Sequence, residues 1–111
     1  MKELRIKCWV EDDGEKFYGP GPNELIKKIQ KEGSLSRAAS EMNMSYKKAW
    51  DLIQRLNQHA EKPLVILKKG GSHGGGAEVT EYAREIVAEY DQLEKEIARL
   101  IEKQNLLKVL K

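Results

Sequence analysis

The sequence predicts a mainly α chain with small β, and three observations carry that prediction. Apolar residues recur at helical spacing around Leu25–Ile29, Ala38–Met42, Ala49–Leu56 and Ile86–Leu107. Two short stretches, Leu4–Val10 and Leu64–Leu67, instead read as strands, each followed by a turn signal and a possible return strand. The run from Gly33 to Asn57 places two of the helical segments on either side of a tight corner at Asn43. Helix, corner, helix and then a glycine-tipped hairpin describe a winged helix-turn-helix. Here it carries an N-terminal β-hairpin and a long C-terminal dimerisation helix. The predicted division is 1–79 for the winged unit with its leading hairpin and 80–111 for the long helix.

The elements follow in chain order. Leu4, Ile6, Cys8 and Val10 alternate with Arg5, Lys7 and Trp9, the period of a strand. Asp12-Asp13-Gly14 is a turn signal, and Phe17-Tyr18 can return as a second strand. Gly19-Pro20-Gly21-Pro22 breaks the chain before the first helix, with Pro22 suited to its first turn. That helix runs to about Lys31 and is closed by Gly33. Ser36 is the expected N-cap of the second helix. Ala38 and Ala39 permit close helix approach, Asn43 takes the positive φ of the corner, and Met44 plugs it. Ser45 caps the third helix, which extends to about His59 with Ala49, Leu52, Ile53 and Leu56 on its inner face. Pro63 opens the wing. Its strands are Leu64–Leu67 and Ala77–Val79, and its tip is Gly70–Gly76. Thr80 caps the last helix, with Glu81 favourably placed in the first turn. Along it Ile86, Tyr90, Leu93, Ile97, Leu100 and Leu107 alternate four- and three-residue steps, with Gln104 in the remaining slot. That is the seam of a coiled coil and marks the expected homodimer interface. Val87, Leu106 and Leu110 widen it.

Charge divides along the chain. Between Ser36 and Lys69 seven bases face three acids, a net +4, whereas between Thr80 and Gln104 seven acids face four bases, a net −3. The overall +2 hides this division. A basic reading head with an acidic tail fits a partner that is double-stranded DNA. Cys8 is the single cysteine, so neither an internal disulfide nor a zinc cluster is expected, in keeping with a reducing cytoplasm. No stretch approaches the apolar length of a membrane span, and Lys2, Glu3, Arg5 and Lys7 break up any secretory core. His59 and His73 are far apart and no nucleophile–base set is visible, so no metal, no cofactor and no catalysis are expected. Cys8 is expected to be buried rather than reactive.

The expected DNA-facing residues are Arg37, Ser45, Tyr46, Lys47, Lys48, Gln54, Arg55, Lys68, Lys69, Ser72 and His73. Ser45, Tyr46, Lys47 and Lys48 form the N-terminal end of the third helix, which enters the major groove in this motif. Lysines and arginines can hold phosphates or guanine edges, and Gln54 has the amide geometry for adenine. Arg37 stands at a helix N-terminus, where phosphate is favoured. The tip GGSHGGG matches neither a Walker A nor a dinucleotide fingerprint, and no lysine–serine/threonine pair follows its glycines. Its glycines suit close approach of main chain to a DNA backbone, with Lys68 and Lys69 just before it and Ser72 and His73 within it. Trp50 is expected to pack between elements rather than meet a base.

Three pieces, GSLSRAAS, MSYKKAW and GGSHGGGA before VTEYA, resemble the N-terminal DNA-binding domain of the ModE family of molybdate-responsive regulators, which is related to the winged helix of LysR-type regulators. The resemblance covers about Leu4 to Leu100. It implies a dimeric winged-helix DNA-binding domain, paired through N- and C-terminal elements, with Ser45, Tyr46, Lys47 and Lys48 and the wing toward DNA. Full members carry C-terminal molybdate-binding domains. This sequence stops at Lys111, so molybdate sensing is not expected to carry over, and the resemblance names no other effector. Two alternatives stay open at the level of sequence. One is a protein-interaction module of winged-helix shape without DNA binding. The other is a small-ligand or redox sensor that uses Cys8 or a pocket at the dimer interface.

Overall fold

A computed structural model of the chain describes residues 1–68 and 76–110. The element order is β1 (Val10–Asp12), β2 (Glu15–Tyr18), α1 (Pro20–Glu32), α2 (Leu35–Glu41), α3 (Tyr46–His59), β3 (Val65–Leu67), β4 (Ala77–Val79), α4 (Glu81–Lys103) and α5 (Leu106–Val109). β1 pairs antiparallel with β2, and β3 with β4, as separate two-stranded ribbons. The expected winged helix-turn-helix with a leading hairpin and a long last helix is the fold observed.

The hairpin turns at Asp13 (φ 50) and Gly14 (φ 84), the two positive angles that a two-residue turn between twisted strands requires. The expected strand over Leu4–Val10 is corrected. Only Val10 pairs, opposite Tyr18 across a bulge, and residues 1–9 join no strand. The reason lies in the return strand. It ends at Tyr18 because Gly19 and Pro20 swing the chain into α1, so nothing remains for Leu4–Trp9 to pair with.

α1 starts at Pro20 rather than after the proline–glycine run. Pro20 takes the first helical position, where its missing N–H costs nothing. Gly33 (φ 66) ends the helix, its N–H donating to the Ile29 carbonyl at 2.7 Å. The N-cap of α2 is also corrected. Ser34, not Ser36, accepts the Arg37 backbone N–H, at 3.2 Å. Both serines are good caps, but Leu35 is buried at 2% exposure and must face the core, which draws the helix start forward.

One core joins these elements: Leu25, Ile26 and Ile29 of α1, Ala38 and Ala39 of α2, Ala49, Ile53 and Leu56 of α3, Leu64 and Val65 below the wing, and Ala83 of α4. Asn57 brackets α3 to the wing. Its Oδ1 accepts the Leu64 N–H at 2.8 Å and its Nδ2 donates to the Val65 carbonyl at 2.9 Å. Thr80 accepts the Ala83 N–H and donates to the Pro63 carbonyl at 2.9 Å, so the cap of α4 also fixes the wing base.

The long helix departs from its expected seam at both ends. Tyr90 is 6% exposed and belongs to the chain's own core. Its hydroxyl donates to the Cys8 carbonyl at 2.7 Å and its ring meets Tyr18 edge-on at 5.5 Å. Ile86 and Val87 pack against the same core. At the other end α4 stops at Lys103, and Leu107 sits on the separate α5. Gln104 makes this break. Its Nε2 donates to the Ile101 carbonyl at 3.0 Å and its Oε1 accepts the Leu106 N–H at 2.6 Å, closing one helix end and opening the next.

A polar chain running from buried Tyr18 and Asn23 to half-buried Asp91 and Lys27 locks α1 to α4. The Tyr18 hydroxyl donates to Asn23 Oδ1, Asn23 Nδ2 donates to Asp91 Oδ1 at 2.8 Å, and Lys27 pairs with the same oxygen at 2.8 Å. Burial, then the Asp91 charge, push the Tyr18 phenol far up, so it remains a neutral donor. Partial burial works to raise the Asp91 carboxyl, but the Lys27 and Asn23 hydrogen bonds together outweigh it and hold it below its ordinary value of 3.8. The folded state therefore gains from ionised Asp91 above that value and loses the gain as pH falls through the lower, folded one. Asp91→Asn is expected to be less stable than the parent at neutral pH, with the gap narrowing as the medium is made more acidic than the ordinary carboxylate value, read by urea unfolding across that range. A gap independent of pH would contradict this role.

Candidate nucleic-acid interface

The corner between α2 and α3 is built by main-chain bonds. The Met44 N–H donates to the Ala39 carbonyl at 2.9 Å and the Asn43 N–H to Ser40 at 3.1 Å, with Asn43 at φ 54. An asparagine tolerates that angle where a β-branched residue would be strained. Ser45 then caps α3 by accepting the Lys48 N–H at 3.1 Å. The buried stripe Ala49, Ile53 and Leu56 fixes the rotation of the helix. Ser45, Tyr46, Lys47, Lys48, Gln54 and Arg55 are all exposed as a result.

Their surroundings differ. Lys47 pairs with Asp51 at 3.2 Å, one turn on, an exposed pair that a phosphate can displace at little cost. Among the described residues no carboxylate oxygen lies within ion-pair distance of Lys48 or Arg37. Arg55 is turned toward the leading hairpin, its Nη2 donating to the Lys16 carbonyl at 2.7 Å. Trp50, expected to pack between elements, is 41% exposed and so only partly covered on α3. Tyr46 is 54% exposed. A groove of about 430 Å³ runs along this flank, lined by Ser45, Lys47, Lys48, Asp51, Leu52 and Arg55.

The wing lies beside this helix in sequence and is tied in space to the junction of α1 and α2. β3 pairs Val65 with Val79 and Leu67 with Ala77. The Ala77 N–H donates to the Gly33 carbonyl at 3.0 Å. Lys68, expected as a phosphate contact, is paired across the ribbon with Glu78 at 3.1 Å. Lys69, Ser72 and His73, with most of the tip, lie outside the described residues. Arg37 is exposed near the start of α2.

Among the described residues no group of histidine, cysteine and acid side chains could hold a metal. No helix among the described residues is long and apolar enough to cross a membrane. His59 is engaged with Asp12 at 2.8 Å. Cys8 is half-buried with its Sγ 3.8 Å from the Tyr90 hydroxyl. Sequence reading missed the bracket at Asn57 and the Arg55–hairpin lock. Neither has a periodic signature, because each depends on a carbonyl brought close only by the fold.

A capped α3 with its basic N-terminal end exposed, set after a positive-φ corner and before a two-stranded wing, defines a winged helix-turn-helix domain. The chain belongs to the bacterial regulatory helix-turn-helix family of the LysR type, whose family model matches residues 24–84. It is similar to the molybdenum transport protein ModE of Azotobacter vinelandii, 49% identical over 65% of this chain and 27% of that protein. It is similar to the transcriptional regulator ModE of Haemophilus influenzae, 36% identical over 86% of this chain and 37% of that protein. The DNA-binding transcriptional dual regulator ModE of Escherichia coli K12 is 42% identical over 69% of this chain and 29% of that protein. The chain thus spans about a third of the length of these relatives.

Proposed function

We propose that the chain is a sequence-specific DNA-binding transcriptional regulator that acts as a homodimer in the cytoplasm, with no catalytic step and no cofactor of its own. The observation that carries this reading is the exposed N-terminal end of α3, where Ser45, Tyr46 and Lys48 project together beside a basic groove. A helix so placed meets base edges with its first turn. The similar proteins of Haemophilus influenzae and Escherichia coli are transcriptional regulators, which points the same way.

Pairing is supported by what α4 leaves uncovered. Leu93 is 45% and Leu100 58% exposed, with Ile97 between them. A cleft of about 700 Å³ beside them is lined by Val10, Phe17, Ile86 and Leu93. A two-fold dimer would present two α3 ends to one duplex.

Selection of bound sites from random duplex DNA tests the reading directly. The expected result is a two-fold motif with half-sites one helical turn or a multiple apart. Binding that shows no sequence preference and no salt dependence would favour the protein-interaction alternative. Within the selected site, Lys48→Ala is expected to weaken specific binding roughly 5- to 150-fold, about 1–3 kcal/mol, with a smaller effect on random DNA. Lys68→Ala is expected to weaken both alike, because its exposed pair with Glu78 is weak enough for a phosphate to compete. Equal losses for the two variants on both DNAs, at matched salt, would remove the readout role from Lys48.

A further inference from the structure

The groove along α3 does not end at Arg55. A second groove, of about 320 Å³, shares Leu52 and Arg55 with it and continues between the leading hairpin and the start of α1. Lys7, Trp9 and Lys16 line this extension. The Lys16 ammonium sits 4.4 Å from the Trp9 ring centre, and the Trp9 indole N–H donates to Glu11 at 2.9 Å. Arg55 spends one N–H on the Lys16 carbonyl and keeps others for a ligand. Lys7 and Lys16 are exposed, and neither has an ion-pair partner among the described residues. The acid on this track, Asp51, is paired with Lys47.

We infer that the N-terminal segment and leading hairpin form a second phosphate-binding face for duplex DNA, continuous with the recognition helix through Arg55. The inference rests on the DNA-binding reading above and adds to it a site outside the helix-turn-helix and wing. Geometry supports the placement. Arg55 lies seven residues past Lys48 on the same flank of α3, so about 10 Å further along the axis. A major groove is about 12 Å across. With the Lys48 end at the base edges, Arg55 and Lys16 stand at the level of a bordering strand. The ligand is the sugar–phosphate backbone, because the face offers exposed cations at the level of a bordering strand, one major-groove width from the base-reading end of α3. The hairpin fixes the cations at this level, since the Arg55 bond to the Lys16 main chain holds it against α3.

The test is the salt dependence of binding to the selected duplex, using the full chain. Lys7→Ala/Lys16→Ala keeps the Lys16 carbonyl that Arg55 holds, and both side chains are exposed, so the fold is retained. Each phosphate contact contributes about 0.9 to the slope of log Kobs against log salt, so the double variant is expected to lower the slope by about 1.8. Its affinity should then change about tenfold less than that of the parent between 50 and 200 mM salt. Lys7→Arg/Lys16→Arg should restore the parent slope. Lys95→Ala/Lys103→Ala, which removes the same charge from α4, should leave it unchanged. A parent slope in the Ala double variant overturns the proposal, and so does an equal fall in the α4 control, which would mark a general charge effect. Failure of the parent protein itself to bind would sink the underlying DNA-binding reading, a distinct outcome.

Discussion

Replacing Ile53 with alanine is expected to destabilise the protein by about 2–5 kcal/mol. Ile53 is fully buried, on the inner stripe of α3 between Ala49 and Leu56. Its neighbours in the core include two alanines of α2, small side chains already at close approach, so they have little freedom to fill the space left behind. The loss therefore combines the missing transfer free energy with a residual cavity. In a chain of 111 residues, this corresponds to a fall in Tm of about 10 °C or more. Thermal unfolding followed by circular dichroism measures it. A loss under about 1 kcal/mol would mean that α3 is seated by other contacts, and the rotation that exposes Lys48 would need another cause.

The second large effect concerns pairing. Leu93→Glu/Leu100→Glu places charge on two side chains that are 45% and 58% exposed in the single chain. Neither belongs to the buried core, so the fold of each protomer is expected to survive. The proposed homodimer is not, because a coiled seam does not bury unpaired carboxylates. Sedimentation should give a monomer. Affinity for a two-half-site duplex should fall by about 10²-fold or more as the second contact ceases to be intramolecular, while affinity for one half-site should stay close to that of the parent domain. A double variant that still sediments as a dimer would move the interface away from α4.

The parts of the fold legible in the sequence are those set by local chemistry. Asn43 at the corner, Ser45 and Thr80 as caps, Gly33 at a helix end and Asp13-Gly14 in the turn each signal a backbone state through their own side chain or its absence. The inner stripe of α3 was legible because a regular period reports burial. The misread features depend on tertiary partners. Ser34 and Ser36 are equal as caps until Leu35 is seen to face the core. Leu4–Trp9 alternates like a strand, but a strand needs a neighbour and β2 is too short to supply one. Tyr90 fits a heptad position perfectly well, yet Cys8 and Tyr18 claim it for the interior. Leu107 continues the period arithmetically, but the Gln104 amide satisfies both helix ends and turns the chain between them. At the candidate interface, the identities of the exposed residues on α3 followed from the period. The inward turn of Arg55 did not, since its acceptor is a main-chain oxygen 39 residues away.

The Gly33 carbonyl accepts the Ala77 N–H at 3.0 Å, immediately before the chain enters α2. The bond fastens the ribbon to the joint between α1 and α2, where the helix-turn-helix begins. The two parts that would touch different stretches of a duplex are thereby geared together. A tilt of the ribbon is passed through that joint to the helices that follow, so wing and reading helix would meet a duplex as one body.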